Sequence, residues 1–282
     1  MKNLKTSFAN RVRSFRGALI AILLASSVVR SEATLYTINY TSSGNAYSAT
    51  YDGSQNGFTV WSQNGANQLA LQWLYYSING GPVTQLTSTS VTTGNAGSGK
   101  KITVNYAIPD GTLQEIVTFT GYNLSESIRF NNTSGGDLNN VSIFQYSDFV
   151  LGGSGYAGSQ TVSMTPASGG YAYAYQSGGG LTLTWNGDAI GYTTLVQADS
   201  SGAPFGAFTG SGNLNNTTLT ANNTSAVFGY EFSGSVANGN FLTISENTTF
   251  PDPVPEPSSL ALISSGMLAV ALIFRQRRGK KA

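Results

Sequence analysis

The sequence predicts an all-β chain: an antiparallel β-sandwich ectodomain between an N-terminal signal peptide and a C-terminal single transmembrane helix. Two patterns predict the sandwich. Between residues 34 and 250, apolar and polar residues alternate in short runs enriched in Thr, Tyr and Val, with no helical period. Clusters of Asn, Asp, Gly and Pro separate those runs. A third pattern predicts the ends: the two longest apolar runs lie near the termini, each beside basic residues.

At the start, residues 1–16 carry Lys2, Lys5, Arg11, Arg13 and Arg16, and residues 17–29 are apolar. Ser31 and Ala33 then form a small-x-small cleavage site around Glu32. This is the layout of a secretory signal peptide, so residues 1–33 are expected to engage the secretion translocon and leave Thr34 as the mature N-terminus. The apolar run amounts to roughly 20 Å of helix, short of a bilayer core of about 30 Å.

The body, residues 34–246, is expected to form one sandwich. Runs at 35–40, 58–61, 69–78, 102–106, 113–120, 127–131, 141–150, 161–164, 181–185, 189–196, 226–232 and 240–245 read as strands. Turns are expected at Asp52-Gly53, Asn64-Gly65, Asn79-Gly80, Pro109-Asp110-Gly111, Asn186-Gly187 and Asn238-Gly239. Two Gly/Ser/Asn-rich stretches, 92–99 and 202–216, read as loose loops. Residues 247–257, with four prolines, read as an extended stalk.

Charge and composition exclude several functions. The chain has no Cys and no His. Disulfide frameworks, thiolate metal sites, zinc hydrolases and Ser-His-Asp enzymes are therefore ruled out. Basic residues crowd the two ends, and between residues 34 and 254 only Lys100, Lys101 and Arg129 remain. Eleven acids oppose these three, a formal net charge of −8 for the exported part. Such a body has no footprint for phosphates, so no nucleic-acid partner is expected. No cofactor and no metal site is expected either. The hexapeptide from Asp52 to Gly57 lacks the Asp spacing of a calcium loop and reads as a turn.

The far end reads Val254-Pro255-Glu256-Pro257-Ser258-Ser259. An apolar segment to residue 274 follows, and then Arg275-Gln276-Arg277-Arg278 with Lys280 and Lys281. The prolines keep the entry extended, and Ser258 or Ser259 can cap the helix. The span, residues 258–274, is interrupted by Ser264, Ser265 and Gly266 and makes a marginal permanent anchor. Residues 275–282 form a basic stop that favours a cytoplasmic C-terminus.

Pro255, Glu256 and Pro257, the short helix and the Arg275, Arg277, Arg278 cluster together resemble the PEP-CTERM sorting signal. The resemblance implies a Gram-negative host and an exosortase-type membrane protease as partner. It also implies an inner-membrane intermediate, with the product at the cell surface or outside, in bacteria that export polysaccharide into a biofilm or sheath. Residues 127–133 followed by 141–149 resemble a hairpin recurring in PEP-CTERM ectodomains, and 227–232 fits the same pattern.

Candidate sites in the body are of two kinds. Glycoside cleavage needs paired carboxylates, and Glu115, Glu126, Asp148, Glu231 and Glu246 lie on expected strands. Asp148 shares a face with Phe144 and Tyr146, whereas parity puts Glu231 on a solvated face. No two acids converge in the sequence, so catalytic residues are not assigned and the chain is not expected to be an enzyme. Tyr171, Tyr173 and Tyr175 alternate with Ala172 and Ala174, a stripe able to stack on sugar rings or to cover the core. An extracellular polysaccharide is the partner that the stripe would fit. Sequons at Asn39, Asn132, Asn216, Asn223 and Asn247 read as compositional. The leading expectation is a non-enzymatic envelope or matrix protein, with a carbohydrate-binding module second and a His-free carboxylate hydrolase third.

Overall fold

The computed structural model describes residues 34–249, apart from residues 43, 121, 153–159, 167–170, 179–180, 190, 200–213, 215–220 and 224–225. The expected signal peptide with Ser31 and Ala33, the stalk beyond residue 249 with Pro255, Glu256 and Pro257, the transmembrane segment and the basic tail with Arg275, Arg277 and Arg278 all lie outside the described residues. Among the described residues every regular element is a strand, and no helix is long and apolar enough to cross a membrane.

Eighteen strands follow one another. They are β1 (Leu35–Ser42), β2 (Asn45–Asp52), β3 (Gly57–Gln63), β4 (Ala66–Asn67), β5 (Leu69–Ile78), β6 (Thr84–Gln85), β7 (Ser88–Ala96), β8 (Gly99–Ile108) and β9 (Gly111–Phe119). The second half holds β10 (Asn123–Asn132), β11 (Leu138–Phe149), β12 (Gln160–Pro166), β13 (Tyr171–Gly178), β14 (Leu181–Asp188), β15 (Thr193–Asp199), β16 (Ala221–Asn223), β17 (Ala226–Val236) and β18 (Phe241–Thr249). One sheet runs β1-β2-β3-β5-β11-β17-β15, with β4 on β3 and β6 on β5. The other runs β16-β12-β13-β14-β18-β10-β9-β8-β7. Neighbours pair antiparallel throughout, and β18 joins the two halves of the second sheet by entering between β14 and β10.

The alternation in sequence becomes the two faces of each sheet. In β10 the even positions Leu124, Ile128 and Phe130 are buried while Ser125 and Arg129 are exposed. Large rings pack within the first sheet and across to the second. Trp61 meets Phe149 edge-on at 5.3 Å, Phe149 stacks on Phe228 at 5.6 Å, and Trp185 of the second sheet stacks on Tyr230 of the first. Each such pair adds about 0.5–1.5 kcal/mol beyond its area burial. A second, smaller cluster covers the outer face of the first sheet: Tyr75, Phe144, Tyr146, Leu214 and Val227, with Trp73 and Leu195 against them.

Several expectations are corrected. The stretch 92–99 is ordered as the end of β7, a turn at Gly97 and the start of β8, because β7 is an edge strand and Thr, Gly and Asn satisfy its solvent-facing side. Asn186-Gly187 is not a turn but the interior of β14. A Cβ on Gly187 would lie 2.2 Å from the Trp185 ring and 3.0 Å from Phe232, so this glycine serves close packing rather than chain reversal. The strand expected from residue 189 begins only at Thr193: before it the Tyr192 N–H donates to the Ala189 carbonyl at 3.0 Å, and Gly191 has φ 84°. The segments 127–133 and 141–149 are not a hairpin: β10 and β11 belong to different sheets, and β11 pairs with β5 and β17. Residues 247–249 belong to β18 rather than to a stalk.

Asn132 makes the crossover between the sheets. Its Nδ2 donates to the carbonyls of Gly136 and Val236 at 2.8 Å each, and its Oδ1 accepts from the backbone N–H and the hydroxyl of Ser134 at 3.0 and 2.8 Å. Asn64-Gly65 and Asn79-Gly80 have positive φ at both residues, the backbone that type I′ turns demand, as their sequence predicts.

Candidate functional site

The tyrosine stripe lies on the outer face of the second sheet. Tyr173 and Tyr175 of β13 are each 37% exposed, while Ala172 and Ala174 between them are fully buried. The small alanines let the sheet lie close to the core, and the rings therefore point outward. Tyr171 begins the same strand, but its side chain lies outside the described set.

Register carries polar rows away from the stripe. Tyr173 faces Asn186, which faces Asn247, which faces Ser125. Tyr175 leads through Thr184 and Thr249 to Asn123. Ser125 donates to the Asn247 amide oxygen at 2.7 Å, and Thr249 donates to that of Asn123 at 2.9 Å. Exposed rings beside fixed amides and hydroxyls can stack on the C–H face of a sugar and hydrogen-bond its edges.

The inner face of the same sheet holds three glutamates, and these do converge. Glu126 of β10 stands directly across from Glu246 of β18, and Glu115 of β9 sits diagonal to it, opposite Ile128. All three are buried, and from the first sheet Gln72 and Gln145 each donate to Glu126 Oε2 at 2.9 Å. Tyr106 donates to Glu115 Oε2. Neither oxygen of Glu246 has a well-formed hydrogen bond; the nearest donors are the Gln145 amide and the Trp185 indole.

Burial is the main force on these acids. It holds Glu115 and Glu246 well above the usual carboxyl range, and the neighbouring charge of Glu126 adds to the effect. Burial also raises Glu126, less strongly because the two glutamine amides, Glu115 and Glu246 hydrogen-bond to it. The three cations of the body lie elsewhere: Lys101 and Arg129 alternate with buried inward residues of their strands, and Lys100 donates to Asn95. No cation lies against them, and burial without one favours the neutral form of these carboxyls.

The other two candidate acids, Glu231 and Asp148, lie on the outer face of the first sheet. Glu231 was expected in solvent and is instead fully buried. The chain returns over that face, and the Leu214 N–H and the Ser142 hydroxyl donate to the carboxyl at 2.9 and 3.1 Å. Asp148 lies on the Phe144 and Tyr146 face as expected, near the Trp73–Tyr146 stack. Its Oδ1 is buried without a hydrogen bond, and burial raises its carboxyl above the usual value. Tyr146 is pushed up to about 12 by burial, then by the charge of Asp148.

Asp148 pairs with Val227, four residues from Glu231, which places the two acids about 13 Å apart along the strands. Glycosidases hold their carboxyls roughly 5–9.5 Å apart across an open cleft. The acids that approach one another are sealed in the core, and these two stand too far apart. Among the described residues no group of three or more Asp or Glu side chains is placed to hold a metal ion.

Parity already carried the signal for the buried cluster. Glu115 follows Leu113 and precedes Val117, Glu126 lies between Leu124 and Ile128, and Glu246 follows Leu242 and Ile244. Each glutamate occupies an inward slot. Only the sheet order, which no local pattern encodes, places the three strands side by side.

Residues 253–278 match the family model described as the PEP-CTERM protein-sorting motif. No characterised protein sequence matches the chain significantly. Among solved structures, the Slr1438 protein of Synechocystis superposes with a TM-score of 0.49 at 9% identity, covering 79% of this chain and 98% of that one. An Escherichia coli K12 protein assigned as an aldose 1-epimerase gives 0.46 at 8% identity, covering 77% and 99%. A bacterial glucoamylase complexed with acarbose gives 0.45 at 9%, covering 85% of this chain and 36% of that one.

Proposed function

We propose that this chain, a PEP-CTERM sorting-signal protein by its matched motif, is a non-enzymatic component of an exported polysaccharide matrix. The observation that carries the reading is the sorting motif at residues 253–278, which implies export, handling by an exosortase-type membrane protease and delivery to the cell surface. The transmembrane segment holds the protein at the inner membrane only as an intermediate, since its serines and glycine make it a weak span. The body supports a non-catalytic role in that its converging carboxyls are sealed from solvent.

A second reading is favoured by one feature of the body. The outward Tyr173 and Tyr175, continued by rows of Asn, Ser and Thr, support a carbohydrate-binding face. The body then acts as a module that holds matrix glycan.

Intact mass of the protein recovered from culture medium tests the primary reading. The expected species begins at Thr34 and lacks residues 258–282. A secreted species that retains Met1 or the basic tail would contradict it.

A further inference from the structure

We infer that the outer face of the second sheet binds acidic polysaccharide, with the Arg129 guanidinium as the docking point for a sugar carboxylate. The inference rests on the carbohydrate-binding reading above and narrows it to a charge class. A groove of about 600 Å³ crosses β8, β9 and β10 on this face, lined among others by Thr89, Asn105, Thr112, Gln114, Arg129 and Asn131. Apart from the arginine, those side chains are amides and hydroxyls, the partners that sugar hydroxyls need.

Arg129 is exposed yet held in place. Its Nε donates to Asn131 Oδ1 at 3.0 Å, and its guanidinium carbon lies 4.0 Å from the centroid of the exposed Phe241 ring. Asn131 is tied in turn to the Thr112 hydroxyl, and Gln114 to Asn105, which donates to Ser90. Fixing Nε and the ring face leaves the two terminal amino groups for a ligand, the fork that meets a carboxylate with two parallel hydrogen bonds.

The neighbours of Arg129 supply no internal anion. Gln114 and Thr243 stand across from it, and Ser127 and Asn131 flank it on its own strand. An arginine on the wall of a groove, with no acid across from it or beside it on its strand, is a local positive site for an external anion, and it acts at short range against the net negative charge of the body. Lys101 lies on the same face, two strands away in the Thr118 row. The glutamates of β9 and β10 are buried on the inner face of the sheet, away from the groove.

Distance connects the groove to the tyrosines. From Tyr173 the register passes Asn186 and Asn247 to Ser125, four residues from Arg129. Three strand steps and four residues separate the two points by about 20 Å, across a face lined with amides and hydroxyls. A polymer can stack on the tyrosines at one end and present a carboxylate to Arg129 at the other.

The test is affinity electrophoresis and calorimetry of the full chain in detergent against three polymers: polygalacturonate, its fully methyl-esterified form and a neutral dextran. The expected result is that polygalacturonate binds about tenfold more tightly than its ester, the worth of one charge-assisted pair, with the advantage shrinking at high salt. Arg129→Gln should bring polygalacturonate down to the level of the ester, and Arg129→Lys should retain part of the gain. Near-UV circular dichroism of both variants checks that the fold persists. Equal binding of acid and ester, or an Arg129→Gln protein that still prefers the acid, overturns the inference and leaves the carbohydrate-binding reading standing. Absence of binding to any of the three polymers removes both.

Discussion

At the scale of single residues, Asn132 shows how much one side chain organises. It satisfies two backbone carbonyls and the N–H of Ser134 where the chain leaves β10 for the opposite sheet. Its identity was visible in the sequence only as a sequon, which suggested glycan acceptance or chance composition. In the fold its amide nitrogen is buried and fully engaged, so it does not accept a glycan once the chain has folded. Asn132→Ala is expected to cost about 2–4 kcal/mol, because it strands buried polar groups of Gly136, Val236 and Ser134. The midpoint of urea unfolding measures this. A loss below about 0.5 kcal/mol, the size of an ordinary surface substitution, would mean that the crossover does not depend on the side chain.

At the scale of elements, the strands with strong alternation were legible and the weakly patterned ones were not. Strand β5 falls on residues 69–78 as read from the sequence, since its large apolar residues leave little choice. Strand β7 is rich in Ser and Thr and carries only Val91 and Ala96 as apolar residues to mark a period; pairing with β8 makes it a strand. The tyrosine stripe was legible as a stripe, but its direction was not: the sequence allowed it to cover the core, and the fold turns Tyr173 and Tyr175 outward. The glutamate cluster of β9, β10 and β18 was not, because it depends on a strand order that brings Glu246 across from Glu126 over a separation of 120 residues.

That cluster makes stability depend on pH in a definite direction. The folded protein holds carboxyl protons that the unfolded chain releases above the usual value of 4.5. Stability is therefore complete below about pH 4.5 and is lost as pH rises toward the raised values in the fold. Each retained proton steepens the loss by up to about 1.4 kcal/mol per pH unit. Glu246→Gln, isosteric and without a proton to lose, is expected to flatten the slope and to raise stability at pH 8. Urea unfolding across the pH range decides it: stability that climbs from pH 5 to pH 8, or a variant with unchanged slope, contradicts a neutral buried cluster.

At the scale of the whole molecule, charge, topology and tail divide the work. The basic residues that the body lacks are concentrated near the two ends of the chain, within residues 1–33 and 275–281. The body is two β-sheets that bury Asp52, Glu115, Glu126, Glu231 and Glu246, and the outer face of the second sheet carries tyrosines, amides and Arg129. The sorting motif was readable from the sequence because residues 253–278 are local, whereas the proposed binding face needed the register of six strands. The most direct measurement of the sorting claim follows an ectodomain tag and a C-terminal tag in paired strains, with and without the exosortase-type protease. With the protease, the ectodomain tag should appear outside the cell, separated from the C-terminal tag. Without it, both tags should remain together in the membrane fraction, held by Arg275, Arg277 and Arg278. If both tags stay together in the membranes of both strains, the tail is a permanent anchor and the sorting account is wrong.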